Sequence, residues 1–148
     1  MKLNEVTANL DIIASSVHSL DVKSKMFKIT NENKREFSLD IKYSKPIVND
    51  DSKIGKLLMH INVAILQENQ ELEPDTLDFV IEGAFSSPAE VSDEEFMDLL
   101  NINGGAALYS IARAKIEAIS SLTYAEGKIL LPMVNIIQYY KERNNSDK

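Results

Sequence analysis

Along EFSLDIKYS (36–44) apolar and polar residues alternate without a break: Phe37, Leu39, Ile41 and Tyr43 on one side, Ser38, Asp40, Lys42 and Ser44 on the other. A period of two marks a strand with one buried and one wet face. KLLMHINVAIL (56–66) sets Leu57, Met59, Ile61, Val63 and Ile65 against Leu58, His60, Asn62 and Ala64. Apolar residues on both sides predict a central strand. LDFVIEGAF (77–85) repeats the rhythm, with Phe79, Ile81 and Phe85 inward and Asp78, Val80 and Glu82 outward. An earlier strand around VHSLDVKSK opposes Leu20 and Val22 to Asp21 and Lys23; its start is open, since Leu10 to Val17 reads equally as a turn of helix. TNENK, KPIVNDDSK and ENQELEPD are turn-forming clusters, and connections this short suit antiparallel neighbours.

After these runs the period lengthens. Ser92 followed by Glu95 forms a capping box, and Phe96, Leu99 and Leu100 make a short apolar face behind it. The pair Gly104-Gly105 then opens a second helix, where Leu108, Ile111, Ala112, Ile116 and Ile119 keep the spacing of an amphipathic face. Its alanines (Ala106, Ala107, Ala112, Ala114, Ala118) permit close backbone approach on more than one side. Gly127 follows this helix closely. Pro132 is expected to open a last helix with Met133, Ile136, Ile137 and Tyr140 on its apolar side, and KERNNSDK reads as a solvated tail. Strands followed by helices predict an α+β fold: a four-stranded antiparallel sheet with the C-terminal helices packed on one face, in a single domain over residues 1–148.

Composition supports a globular chain, at 44% hydrophobic and 26% charged residues. A net charge of −7 argues against a nucleic-acid partner, because phosphate backbones need a Lys/Arg surface. The absence of cysteine excludes disulfides, zinc–thiolate sites and cysteine nucleophiles. No apolar run approaches the roughly 18 residues of a membrane span, and the N-terminus carries no signal-peptide pattern. A cytoplasmic protein without membrane insertion is expected.

Catalytic chemistry finds little support. His18 and His60 are the only histidines, and no nucleophile sits in a recognisable signature. His60 lies mid-strand, where a hydrogen-bonded sheet histidine is the simpler reading. The carboxylates of SDEEFMDLLN fall in a helix's first turn and complement its dipole, so no metal site is expected there. NENK, NDD and NGG lack the strand-to-helix context of a phosphate loop. The apolar surplus is more informative: both terminal helices and a sheet face are hydrophobic, and SKPIVNDD adds Ile47 and Val48. A contiguous surplus of this kind suits an oligomer or ligand surface, although one internal core would also absorb it.

LYSIARAKI (108–116) resembles the helix of SecB, the tetrameric protein-export chaperone. LLPMVNI (130–136) is similar to that family's Leu-x-Pro-Val-Asn element before its last helix, with one residue inserted, and GAF (83–85) matches a Gly-x-Phe at the end of the fourth strand. The resemblance rests on residues over 77–143 and on strand pattern before that. The family's Phe-Pro-Tyr is Tyr109-Ser110-Ile111 here, and its Cys-Pro is replaced by Asn103-Gly104-Gly105, which marks a divergent member.

The resemblance implies an ATP-independent holdase without cofactor or catalysis, whose partners are unfolded preproteins or other non-native polypeptides. It implies a client groove between the sheet, the loop joining the first two strands and the last helix. On this chain that groove would hold Met26, Phe27, Phe37, Ile47, Val48, Met133, Ile137 and Tyr140. It also implies a homotetramer, a dimer of dimers, with Leu108, Ala112, Ile116 and Ile119 at the interface. The family often carries acidic residues on its first strand for docking the translocase ATPase SecA. Asp21 is suitably placed, the outer sheet face adds Asp40, Asp78 and Glu82, and Lys23, Lys25 and Lys42 dilute that patch, so docking is expected to be weak or absent. A SecB-like chaperone serving a toxin–antitoxin pair is the alternative. A small-molecule-binding or hydrolytic protein using His60, Asp40 and Glu82 is a distant third, because an uncovered strand face excludes water poorly.

Overall fold

The computed structural model describes residues 1–3, 7–69 and 71–146. Its centre is a pair of long strands, β4 (Ser52–Ile65) and β5 (Asp75–Pro88), in register from Ser52↔Pro88 to Ile65↔Asp75. β1 (Asp11–Lys23) lies outside β5, and β2 (Arg35–Tyr43) lies outside β4, giving the antiparallel order β1-β5-β4-β2. The four expected strands are present, and the open reading of residues 10–17 resolves to strand. A short fifth strand, β3 (Ile47–Asn49), is an addition: it folds back on Ser52–Ile54, in a segment expected to be turn. Asp50 closes that hairpin at φ 49°, a left-handed conformation that Asp tolerates.

Burial alternates along β4 and β5 as the sequence predicts. Leu57, Met59, Ile61, Val63, Leu77, Phe79, Ile81 and Phe85 share one buried face. α1 (Asp93–Leu99) starts at Ser92, whose hydroxyl accepts from the Glu95 amide at 3.2 Å. The helix does not restart at the glycine pair. A π-turn (Leu100–Gly104) carries it directly into α2 (Gly105–Thr123), and the junction residues keep right-handed helical dihedrals. Close approach explains the glycines better than a hinge does. A Cβ on Gly104 would meet Leu57 and Phe85 at 3.4 Å, and one on Gly105 would meet Ile136 at 3.2 Å. The sheet has matching notches, since a Cβ on Gly55 would lie 2.7 Å from Phe96 and one on Gly83 3.0 Å from Leu108. Phe96 is fully buried there, a burial worth roughly 1.5–3 kcal/mol. Lys53, buried on the same face, donates to Asp93 Oδ1 at 2.6 Å and to the Val91 carbonyl, fixing the start of α1 on the sheet.

Pro132 does not open the last helix. Residues 128–135 run back along α2 in extended form, and α3 (Ile136–Ser146) begins after Asn135, whose side chain accepts from the Gln138 amide at 3.1 Å. The residues expected as a solvated tail are helical as far as Ser146. Asp147 and Lys148 of that tail, and Gln70 of an expected turn, lie outside the described residues.

Gly127 turns the chain between α2 and the return segment at φ +88°, and a Cβ there would lie 2.2 Å from the Ile29 carbonyl oxygen. Gly127→Ala should therefore cost about 2 kcal/mol or more, which lowers Tm by roughly 4–8 °C for a chain of this size. Calorimetry of the two proteins side by side checks this; an unchanged Tm would remove the strain argument.

Candidate functional site

The loop joining β1 to β2 is held by one buried carboxylate. Asp75, on the inward face of β5, accepts from the Lys25 amide at 2.9 Å, the Met26 amide at 3.3 Å, the Ser24 hydroxyl at 3.2 Å and the Tyr124 hydroxyl at 3.1 Å. Burial, reinforced by the Asp75 charge, pushes the Tyr124 hydroxyl up to about 12, so it remains a donor throughout the physiological range. A second fastening lies a few residues on: Ala125 N–H donates to the Phe27 carbonyl at 2.8 Å and Ile29 N–H to the Glu126 carbonyl at 3.0 Å. Ile29 is buried by this bridge, whereas Phe27 between the two fastenings is 85% exposed. At the surface, Lys25 donates to Glu73 at 2.8 Å, and that contact holds the Glu73 carboxyl below its usual range.

The return segment is fastened just as firmly, and here the arginine of IAR finds its purpose. Arg113 Nε donates to the Leu131 carbonyl at 3.0 Å, and Tyr109 donates to the Pro132 carbonyl at 2.7 Å. Burial raises the Tyr109 hydroxyl, which keeps it a donor. Ser120 accepts from the Ile129 amide at 2.7 Å. These bonds satisfy backbone groups of a return segment that lies on a helix and has no strand partner among the described residues. They also present Met133, 82% exposed, at the mouth of α3.

Between β2 and α3 runs a shallow groove of about 340 Å³, lined by Leu39, Val134, Asn135, Gln138, Tyr139 and Glu142. A second depression, of about 270 Å³, lies between the β1–β2 loop and residues 67–69 and includes Met26. Of the residues expected to line a client groove, Phe27, Phe37, Ile47, Val48, Met133 and Ile137 are exposed and Met26 half-buried. Tyr140 is half-buried, with its ring edge-on to Tyr139 at 5.1 Å and its hydroxyl pushed up to about 12 by burial and by Tyr139. Leu39, Val134, Tyr139 and Asp75 were not singled out from sequence. Asp75 had a signal, since it shares the inward parity of Leu77, Phe79 and Ile81, where an unpaired carboxylate would be costly.

The residues expected at an oligomer interface lie elsewhere. Leu108, Ala112 and Ile116 are fully buried in this chain's own core, and Ile119 partly so. The physical reason is the glycine-notched contact above, which spends this face of α2 on the sheet. The face left open carries Ala107, Ser110, Ala114, Ala118, Ser121 and Leu122. The three candidate docking carboxylates share the outer sheet region with basic neighbours. Asp78 accepts from His60 Nε2 at 2.9 Å, Glu82 lies 3.1 Å from Lys56 and 4.0 Å from His18, and Asp21 lies 3.6 Å from Lys23. His60 is thus a hydrogen-bonded sheet histidine. Asp40, opposite it in register, faces Arg143 at 3.4 Å. Among the described residues no group of His, Asp and Glu is arranged to hold a metal ion, and no helix is long and apolar enough to cross a membrane.

No family model and no curated protein matches this sequence. Solved structures do. The SecB-like chaperone of Mycobacterium tuberculosis, determined in complex with a ChAD peptide from the HigA1 antitoxin, aligns over 85% of this chain and 91% of its own, with a TM-score of 0.58 at 14% identity. This chain has the SecB-like fold. A Streptococcus agalactiae protein of unknown function aligns over 84% of this chain and 97% of its own, with a TM-score of 0.50 at 11% identity. At such identities the shared property is the backbone: a long-stranded antiparallel sheet with the helical return on one face. In this chain the LYSIAR helix serves that backbone through Tyr109 and Arg113.

Asp75→Asn keeps the size of the side chain but faces an amide NH₂ towards donors. It should weaken local closure of the β1–β2 loop by about 1–3 kcal/mol. Trypsin should then cut after Lys28 roughly tenfold faster or more, with cleavage confined at early times to this loop. An unchanged cleavage rate would show that the bridge to residues 125–126 holds the loop without Asp75.

Proposed function

We propose that this chain is an ATP-independent holdase that binds non-native polypeptides in extended form and performs no catalysis. One observation carries the reading. Exposed apolar side chains (Phe27, Phe37, Ile47, Val48, Met133, Ile137) accompany an open strand edge, on a fold shared with a chaperone determined in complex with a peptide. Residues Lys34 and Ser44 bond inward to Leu66 and Lys56, so odd residues of β2 turn their N–H and C=O groups away from β4. At Phe37 and Leu39 these groups meet no partner among the described residues. An unpaired edge takes an extended segment by strand addition, and neighbouring apolar surface takes its side chains. Neither step requires a nucleotide or cofactor. Binding of a dedicated antitoxin segment, as in the mycobacterial neighbour, is the second reading that this edge supports.

The same chain is proposed to assemble as a homotetramer, a dimer of dimers. β1 is an edge strand of 13 residues whose inward-facing Ile12, Val17 and Leu20 are each about 40% exposed, beyond the reach of the helices. The open face of α2 is lined by small residues, which permit a second helix to approach closely. Both features support burial by further copies. Docking to SecA is expected to be weak, because Asp21, Asp78 and Glu82 each sit beside a basic group.

Ile137 is half-exposed beside buried Ile136, so Ile137→Asp should fold, with Tm changed by no more than a few degrees, on the order of 1 kcal/mol. Its protection of a denatured probe enzyme against aggregation, followed by light scattering, should fall sharply. Normal folding with undiminished protection would remove α3 from the binding surface. For assembly, light scattering after size exclusion should give about four chains per particle, and Ala118→Gln should shift the population to smaller species. A monomer at micromolar concentration would refute the tetramer.

A further inference from the structure

The outer edge of β2 is not open along its whole length. At Ile41 both backbone groups are taken by side chains of α3. The Ile41 N–H donates to the Tyr139 hydroxyl oxygen at 3.0 Å, and the Arg143 guanidinium donates to the Ile41 carbonyl. Arg143 also donates to the Tyr139 hydroxyl at 3.2 Å and lies 3.4 Å from the Asp40 carboxylate. Two side chains thereby make the pair of bonds that one residue of an added strand would make. Just along the edge, the groups of Leu39 and Phe37 are unpaired among the described residues.

The helix carrying this contact is lightly held. Ile136 is its one buried residue among those described, and most of residues 137–146 are exposed. The Tyr140 hydroxyl is buried without a hydrogen-bond partner among the described residues, a cost of the seated position that hydration on opening would relieve. The groove lined by Leu39, Val134 and Tyr139 lies beside the free stretch of edge, so the contact and the apolar floor meet at one place.

We propose that Tyr139 and Arg143 form a displaceable latch: α3 occupies the Ile41 backbone in the empty protein, and an extended polypeptide segment pairing with β2 competes it away. The inference rests on the polypeptide-binding reading above and adds its gate. An incoming segment first pairs beside Phe37 and Leu39, where the edge is free. It extends past Ile41 only as α3 lifts, pivoting on the Pro132–Asn135 connection. Affinity for extended segments is thus set partly by how readily the latch yields, because the bonds at Ile41 are exchanged and not newly gained.

The test uses Tyr139→Phe, which keeps the ring against Tyr140, and the double variant with Arg143→Gln. Without any ligand, hydrogen exchange at the Ile41 amide should accelerate in both, while calorimetry shows the fold retained. The binding probe is a short fluorescent peptide of alternating Val and Thr, with a twin N-methylated at every residue, which has no N–H left on either edge to pair with a strand. The double variant should bind the unmethylated peptide about five-fold tighter than the wild type does, the equivalent of one net hydrogen bond released from competition. The methylated twin should bind weakly and equally to both proteins. Unchanged Ile41 exchange would overturn the latch itself. Faster exchange with unaltered or weaker peptide affinity would overturn the competition. Larger particles of the variant in light scattering would make a second copy the occupant of the edge, against the proposal. Failure of every form to bind either peptide, despite faster exchange, would locate the error in the polypeptide-binding reading.

Discussion

The closeness of the continuous α1–α2 helix to strands β4 and β5 governs the rest of the molecule. Two glycines of the sheet make it possible, since a Cβ on Gly55 would press on Phe96 and one on Gly83 on Leu108, while in the helix Gly104 faces Leu57 and Phe85 and Gly105 gives room to Ile136. Gly55 stands opposite Phe85 in the ladder and Leu57 opposite Gly83, so small and large residues alternate diagonally beneath the helix. Into the notches go Phe96 and Leu108. Protein interiors are packed to the density of organic crystals, and such a contact commits each participating face fully. One face of α2 is therefore unavailable to anything else, and the opposite face inherits whatever contact a second copy makes.

That commitment also explains why the flanking elements are fastened by hydrogen bonds beside a few buried side chains, Ile29 in the loop and Ile129 and Leu131 in the return segment. The helix covers β4 and β5 and leaves β1 and the ends of β2 beyond its width. The β1–β2 loop and the return segment accordingly depend on polar groups placed with care: Asp75 and Tyr124 for one, Tyr109, Arg113 and Ser120 for the other. Asp75, Tyr109, Arg113 and Ser120 serve backbone atoms directly, and Tyr124 steadies Asp75. The outcome is apolar side chains such as Phe27 and Met133 held at the surface on well-fastened backbone, an arrangement suited to contacting a partner chain without first ordering itself.

The sheet was legible in the sequence because period two survives any tertiary context in which one face is buried. The inward and outward assignments in β4 and β5 follow directly from it. What was not legible depended on distances between segments far apart in sequence. A glycine pair reads locally as a hinge or helix start, and only the presence of Leu57, Phe85 and Ile136 opposite shows that it permits contact. Pro132 suits a first helical turn, yet Tyr109 and Arg113 draw its neighbourhood into an extended path, and the helix waits for Asn135. Amphipathic spacing found the buried face of α2 correctly as a set of residues, Leu108, Ala112 and Ile116. It could not say whether the chain's own sheet or another copy would cover that face. β3 escaped because three residues carry too little alternation to stand out from a turn.

The two edges of the sheet present opposite solutions to one problem. An exposed edge strand carries unpaired backbone groups that invite other strands, and natural proteins usually blunt it. β1 is long, bulged at Ile12/Ala14 and Val17/Ser19, and apolar on the face that the helices leave bare, which fits a permanent partner of fixed geometry. β2 is shorter and blunted at one residue by Tyr139 and Arg143, with adjacent backbone groups left open. A side-chain plug on α3 can leave at less cost than a central element, because Ile136 is the one buried residue of α3 among those described and Tyr139 and Tyr140 are only partly buried against the core. The proposed assembly on one edge and the proposed exchangeable occupancy of the other would need different strengths of closure. Burial supplies the first, whereas a few partly exposed hydrogen bonds, each worth about 1 kcal/mol net, supply the second.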